Sequence, residues 1–402
     1  MFYKRIIPYI LSFVLLAMSV FYVADKDNSA PDESSSKNVK VTTVKPPEEI
    51  RGVWVTYMTL DVEGESDKEA AFRSKIDTII EDMEKADLNT MAVQVRPFSD
   101  AIYPSRTYPW SHILTGTQGE DPGYDPLVYI VQAAHEHDIM VHAWINPYRV
   151  TTKNTPDELS ADNPAIKNSD MTVEINGSLY LDPADDDAIR LITDGVREIV
   201  KNYDIDAVQF DDYFYPPDCG DFDAEDYEAY CESTDSPLSL EEFRMDNVSR
   251  MVQSVYQAVH QTKENVMFGI SPQGNLGNNK GLYADVEKWC EEKGYIDYIC
   301  PQIYFSLDNP ALTFEDGLQD WLDLETHDGL SLYIGIPAYK AGTDADSGTW
   351  LDNNDILKTE IEIARNSGAD GFLLYSYDSF HNDENAEEVE NVIRYLTTSP
   401  TQ

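Results

Sequence analysis

Cysteine, histidine and basic side chains are scarce in this sequence of 402 residues. Its four cysteines, Cys219, Cys231, Cys290 and Cys300, form no C-x-x-C pair, which argues against a zinc–thiolate site. Cys219 and Cys231 share one long loop, where an exported chain has room for a disulfide, and Cys300 reads as a buried thiol. The seven histidines offer a single H-x4-H pair, His137 and His142. His142 lies inside a predicted strand and His137 before it, so they stand about 16 Å apart along the chain, too far for one ion. No metal and no cofactor is expected. Lysine and arginine total 29 against 74 aspartates and glutamates, for a net charge of −45 and a pI near 4.2. Such a surface repels phosphate, which excludes nucleic acid as a partner and disfavours strongly anionic polymers outside a local basic pocket. No glycine-rich dinucleotide fingerprint follows the first predicted strand.

Hydrophobic residues make up 42% of the chain, enough for one large domain. Lys4 and Arg5 precede an apolar run over 6–24, of spanning length, and no A-x-A site or cysteine follows it. Residues 1–24 therefore read as a membrane anchor or signal peptide, with the rest of the chain exported to the cell surface or secreted. Residues 25–48 are rich in Ser, Asp, Lys and Pro without periodicity and read as a flexible linker.

From there to 398 the pattern alternates. Short apolar stretches, rich in β-branched and aromatic residues, occupy 51–57, 90–97, 139–147, 205–215, 266–275, 295–305, 332–340 and 371–380. Helical periodicity occupies 68–85, 127–136, 188–202, 240–261, 285–293, 313–325, 356–366 and 387–396. Eight such alternations predict an α/β fold, a (β/α)8 TIM barrel over 49–398. Connections from helix to strand are short, and those from strand to helix, 98–126, 148–187 and 213–239, are long and aromatic. In a barrel the long set lies on the functional face, so these loops read as the ordered walls of a cleft.

Alternation along each strand selects the side chains that face inward. These are Gln94 and Arg96, with Asp100 beyond; His142, Trp144 and Asn146, then Arg149; Gln209 and Asp211; Ser271 and Gln273; Gln302 and Tyr304. The eighth strand presents either Tyr375 and Tyr377 or Ser376 and Asp378. One inward amide is an ordinary core feature, but polar residues on five strands at once suit a hydroxyl-rich ligand. Amides and carboxylates bind sugar hydroxyls, and aromatic faces cover sugar C–H surfaces. The stretch Ile205–Pro216 is the most informative, because it ends a buried strand in two adjacent carboxylates, and alternation puts Asp211 inward and Asp212 on the other face.

Several runs together resemble the bacterial glycosyl hydrolase-like family 10. They are RGVWVT from Arg51, VQVRP from Val93, PWS from Pro109 with LTG from Leu114, HAWINPYR from His142, FDDYFYP from Phe210, GISP from Gly269 and PQIY from Pro301. The resemblance spans about residues 47–398 and implies a TIM-barrel glycosidase acting outside the cytoplasm. One branch of that family trims peptidoglycan strands lacking stem peptides. The chain carries Gln209 where many relatives have His, and Ser271 to Asn275 where relatives often carry an aromatic residue.

Most glycosidases work with two carboxyls. Asp211 is the expected nucleophile or base, with Asp212, Asp100 and Asp378 as candidates for the other. Gln94, Arg96, His142, Asn146, Gln302 and Tyr304 are expected to orient the sugar, beside Gln209 and Arg149. Trp144 or Tyr213 would form a platform. The expected partner is a polysaccharide, peptidoglycan strands foremost, met by a monomer that touches membrane only through its N-terminal segment. Two alternatives stand beside this: a non-catalytic glycan-binding barrel and a metal-dependent polysaccharide deacetylase.

Overall fold

The computed structural model describes residues 44–398, Asn154 and Pro217 excepted. The N-terminal anchor or signal segment and all but the end of the linker lie outside the described residues. Eight parallel strands close into a barrel: β1 Ile50–Val55, β2 Thr90–Arg96, β3 Met140–Ile145, β4 Ala207–Phe210, β5 Met267–Ile270, β6 Tyr298–Ile299, β7 Ser331–Ile336 and β8 Gly371–Leu374. Each is followed by a helix: α1 Lys68–Lys85, α2 Pro126–Glu136, α3 Asp186–Asn202, α4 Leu240–Thr262, α5 Val286–Glu291, α6 Phe314–Leu322, α7 Ile356–Asn366 and α8 Ala386–Thr398. This is the TIM barrel that the alternation predicts.

The helices start where side chains can satisfy their free N–H groups. Asp67 caps α1 by accepting from Ala70 N, and Ser239 and Glu242 form a reciprocal capping box on α4. Phe72, Ile76, Ile79, Ile80 and Met83 then line the buried face of α1 at helical spacing. Phe243, Val248, Met251, Val255 and Val259 do the same on α4.

The interior of the barrel is filled differently. Ile50, Trp54, Ala92, Met140, Trp144, Ala207, Tyr298, Cys300, Tyr333 and Leu373 form a cluster of their own, apart from the larger one between strands and helices. Large rings fit there because neighbouring positions are small. A Cβ on Gly269 would stand 2.2 Å from the Tyr298 ring, and one on Gly274 would stand 2.0 Å from the Gln302 carbonyl oxygen. Gly274 thus lets the continuations of β5 and β6 approach closely enough for the bridge between Gln273 and Gln302.

Two strands are shorter than the apolar stretches suggest. β4 stops at Phe210 rather than 215, and β6 is two residues long, extended only by isolated bridges. The long loops carry structure that periodicity does not show: a hairpin of Thr172–Ile175 with Ser178–Leu181, and a helix Ala224–Ser233. Arg244 anchors the second of these loops through paired bonds to Asp223 and one to Gly220 O. The four cysteines are free thiols, so the disulfide considered for Cys219 and Cys231 is not formed. Cys219 instead accepts from Arg244 Nη1 at 3.3 Å.

Candidate active site

Asp211 lies just past the last residue of β4, at the end of the barrel where the strand-to-helix loops gather. It is 4% exposed. Its Oδ2 accepts from Trp144 Nε1 at 3.0 Å and from Asn146 Nδ2 at 3.2 Å, both from β3 or its continuation. The β3–β4 register sets this contact: Trp144 pairs with Gln209, so both chains place their next inward residue at the same level. Burial first, and then the neighbouring Asp212, push the Asp211 carboxyl up to about 7, against the opposing pull of Arg149.

Asp212 does not turn away from the interior as strict alternation requires. The strand has ended at Phe210, so the next residues leave the pleat. Asp212 reaches the far side of β4 and accepts from Gln302 Nε2 at 3.1 Å and from Gln273 Nε2. Burial raises its carboxyl while these two amides oppose the rise. Gln273 was legible as inward-facing, but its pairing with Asp212 depends on the close approach at Gly274.

The facing wall is aromatic. β8 stands opposite β4 in the closed order and delivers Tyr375. Its ring centroid lies 6.0 Å from Trp54, 6.4 Å from Trp144, 5.7 Å from Tyr304 and 5.8 Å from Tyr339. Tyr213 and Tyr339 are exposed, so they offer platforms. Sequence reasoning missed Tyr339, which sits on a short turn after β7 where periodicity carries no signal. Trp144 is buried and uses its indole N–H on Asp211, which makes it a holder of the carboxyl rather than the expected platform. Arg149 packs its guanidinium over Phe98 and Tyr213, at 4.9 and 5.4 Å. Asp378 is exposed at the rim, where Thr59 Oγ1 donates to its carboxylate at 3.0 Å.

The structure moves other predicted residues away from this cluster. Arg96 faces outward: a register shift between Gln94 and Arg96 breaks the two-residue period and pairs Arg96 with the outward Ile145. Its guanidinium stacks 4.4 Å over Tyr108. His142 and Gln209 do point inward but lie below the carboxyls, fully buried. Tyr298 OH links them, 3.1 Å from His142 Nδ1 and donating to Gln209 Oε1 at 3.2 Å. Burial lowers the His142 imidazole to about 4, so it is neutral. Gln94 is buried and accepts from Tyr57 N at 3.2 Å. Asp100 is wholly buried and accepts from Gln118 Nε2 at 3.0 Å, which joins the loops after β2 and β3 through Asn163. These residues shape the barrel and its loops; they do not line the cleft. Among the described residues no group of three or more His, Cys, Asp and Glu is arranged to hold a metal.

The sequence profile of the family described as glycosyl hydrolase-like 10 matches residues 49–352. The chain belongs to that family. It is similar to the glycosyl hydrolase YngK of Bacillus subtilis (strain 168), with 36% identity over 348 residues, 79% of this chain and 67% of that protein. It is also similar to the glycosyl hydrolase DigH of Escherichia coli (strain K12), at 28% identity over 95% of both chains. Among solved structures, the glycoside hydrolase domain of PgaB (BpsB) from Bordetella bronchiseptica superposes with a TM-score of 0.60. That match covers 86% of this chain and 99% of the other at 14% identity, a likeness of fold. Family membership makes the chain a glycoside hydrolase, and the deacetylase and non-catalytic readings give way to it.

Proposed function

We propose that this glycoside hydrolase is exported and cleaves the glycan strands of a cell-wall polysaccharide, peptidoglycan-type amino-sugar strands foremost. The carrying observation is the buried Asp211–Asp212 pair, each carboxyl fixed by two side-chain donors from neighbouring strands. A carboxyl held near 7 populates both its protonated and its ionised form at neutral pH, so Asp211 can serve as the acid and base of the reaction. Of the two roles expected for it from the sequence, nucleophile or base, this reading takes the second. Tyr213 and Tyr339 offer sugar platforms, and a second cavity of about 730 Å³ bordered by Tyr57, His112, Gln118 and Leu159, on the loops that follow β1, β2 and β3, has room for further sugars. Arg149 can meet a single carboxylate, as on a muramic acid unit, within an otherwise acidic protein. Export rests on the apolar run over 6–24. The test is digestion of peptide-free peptidoglycan strands beside intact sacculi, a neutral plant glycan and aryl monosaccharides. Release of reducing ends from the peptide-free strands is expected. Cleavage of the plant glycan alone discards the amino-sugar assignment, and cleavage of aryl monosaccharides alone discards the cleft of several subsites.

A further inference from the structure

The two carboxyls come from consecutive residues at the end of one strand. A direct double displacement needs a nucleophilic carboxylate across the anomeric carbon from the acid, at about 5–5.5 Å, and inversion needs a base on the opposite face at about 6.5–9.5 Å. Across the barrel from β4 stands β8, whose contribution at this level is Tyr375. Asp378, the carboxyl beyond it, is exposed at the rim and engaged by Thr59 and Ser376. Neither member of the pair is built as a nucleophile. Asp211 Oδ2 already accepts two bonds, and each oxygen of Asp212 accepts from a glutamine amide. A carboxylate held in this way keeps lone pairs for one more donor, because its two oxygens offer about four acceptor sites.

We propose that the substrate supplies its own nucleophile: the carbonyl oxygen of a 2-acetamido group on the sugar beside the scissile bond. Asp212 accepts the acetamido N–H and orients the carbonyl toward C1. Asp211 gives its proton to the leaving glycosidic oxygen as the C1–O bond breaks and the carbonyl oxygen–C1 bond forms. The result is an oxazolinium ion whose N–H stays on Asp212. Water then attacks C1, returns a proton to Asp211, and the ring bond to the carbonyl oxygen breaks, so configuration is retained. No oxidant, metal or further reactant enters. Asp211 Oδ2 is engaged by Trp144 and Asn146, whereas Oδ1 accepts only a long bond from Tyr213 N at 3.4 Å, so Oδ1 is the oxygen assigned to carry the proton. Tyr304 and Tyr375 give the acetamido methyl an apolar wall; burial first, then Tyr375, Cys300, Tyr339 and lastly Asp212 raise the Tyr304 hydroxyl. This inference deepens the amino-sugar reading and rests on it.

The experiment uses the full chain on peptide-free strands and on the same strands chemically de-N-acetylated. It adds two probes: the thiazoline derived from N-acetylglucosamine, and a 2-deoxy-2-fluoro glycosyl fluoride. The expected result is cleavage of the acetylated strands only, with thiazoline inhibition on the order of 10²-fold tighter than by the parent sugar, as for a mimic of a high-energy species. No glycosyl adduct on the protein is expected by mass. Asp212→Asn is expected to lower kcat far more than to raise KM and to abolish the acid limb of the pH profile. Equal cleavage of both strand forms, or a fluoroglycosyl adduct on an aspartate, overturns the inference while leaving the amino-sugar assignment intact. Failure to cut either strand form, with cleavage of a plant glycan, overturns both.

Discussion

Between strands and helices the core is apolar throughout, with Val53, Val93, Ile130, Ile199, Val255 and Ile361 buried in one continuous cluster beside rings such as Phe72, Phe268 and Trp289. Inside the barrel the same strands present Trp54, Trp144, Tyr298 and Tyr333, amides, a neutral histidine and carboxyls. The shell is held by burial, at about 1.5–3 kcal/mol for each large aliphatic side chain, and tolerates exchange of similar shapes. The interior depends on individual hydrogen bonds and on glycines that admit rings, so each position there has few substitutes. Substitutions in the interior should therefore act on chemistry as well as on stability, whereas those in the shell should act on stability alone.

The largest expected effect breaks the interior at its centre. Asp211→Asn keeps the shape and an acceptor for Trp144 and Asn146 but removes the proton. Activity is expected to fall by roughly 10²–10⁴-fold, measured as kcat on the cleaved strand. In the native enzyme kcat should decline as pH rises through about 7, because Asp211 is then ionised. The stability effect follows from the same carboxyl. Its folded pKa is raised, so its contribution is fully present below the ordinary carboxylate range near 4 and is lost as pH rises through about 7. The Asn variant avoids that loss. Its Tm relative to wild type should be higher at pH 8 than at pH 4; the opposite trend removes the raised pKa.

Gly269→Ala comes next. The added methyl meets the Tyr298 ring, which is tied to His142 and Gln209 and has no room to retreat. Overpacking of this kind costs about 1–3 kcal/mol. Urea unfolding should show that loss, and an unchanged midpoint would mean the interior yields as easily as the shell. Gln302→Ala is smaller in effect. It deletes one of the two amides on Asp212 and is expected to lower kcat on the order of 10-fold, about 1.4 kcal/mol, with little change in the unfolding midpoint.

The difference between shell and interior also explains what could be read from the sequence. The shell follows from periodicity, so the strand and helix order and the buried face of α4 were legible. Asp211 was legible because its strand is regular up to Phe210. Arg96 was not, because one register shift beside Gln94 turned it outward without altering the hydrophobic pattern. Asp212 was misjudged for a related reason: alternation was carried past the point where the pleat ends. The depth of His142 and Gln209 below the carboxyls was also hidden, since alternation gives a side chain's face but not its height along the barrel. Tyr339 and the glutamine clamp depend on turns and on the close approach at Gly274, which leave no periodic trace.

The smallest expected effect sharpens the comparison from the other side. Ile199 is buried in the shell on α3, a helix whose buried residues include Ile192, Val196 and Val200. Ile199→Val removes one methylene and leaves a small gap, at a cost of about 0.5–1.5 kcal/mol. The unfolding midpoint should drop by that amount while kcat, KM and the pH profile stay within error of wild type. The reason is separation of roles: no hydrogen bond to Asp211 or Asp212 passes through this side chain, and the donors that hold them come from β3 and from the continuations of β3, β5 and β6. A shifted pH profile in this variant would show that packing in the shell sets the environment of Asp211. The interior and the shell would then have to be treated as one coupled unit.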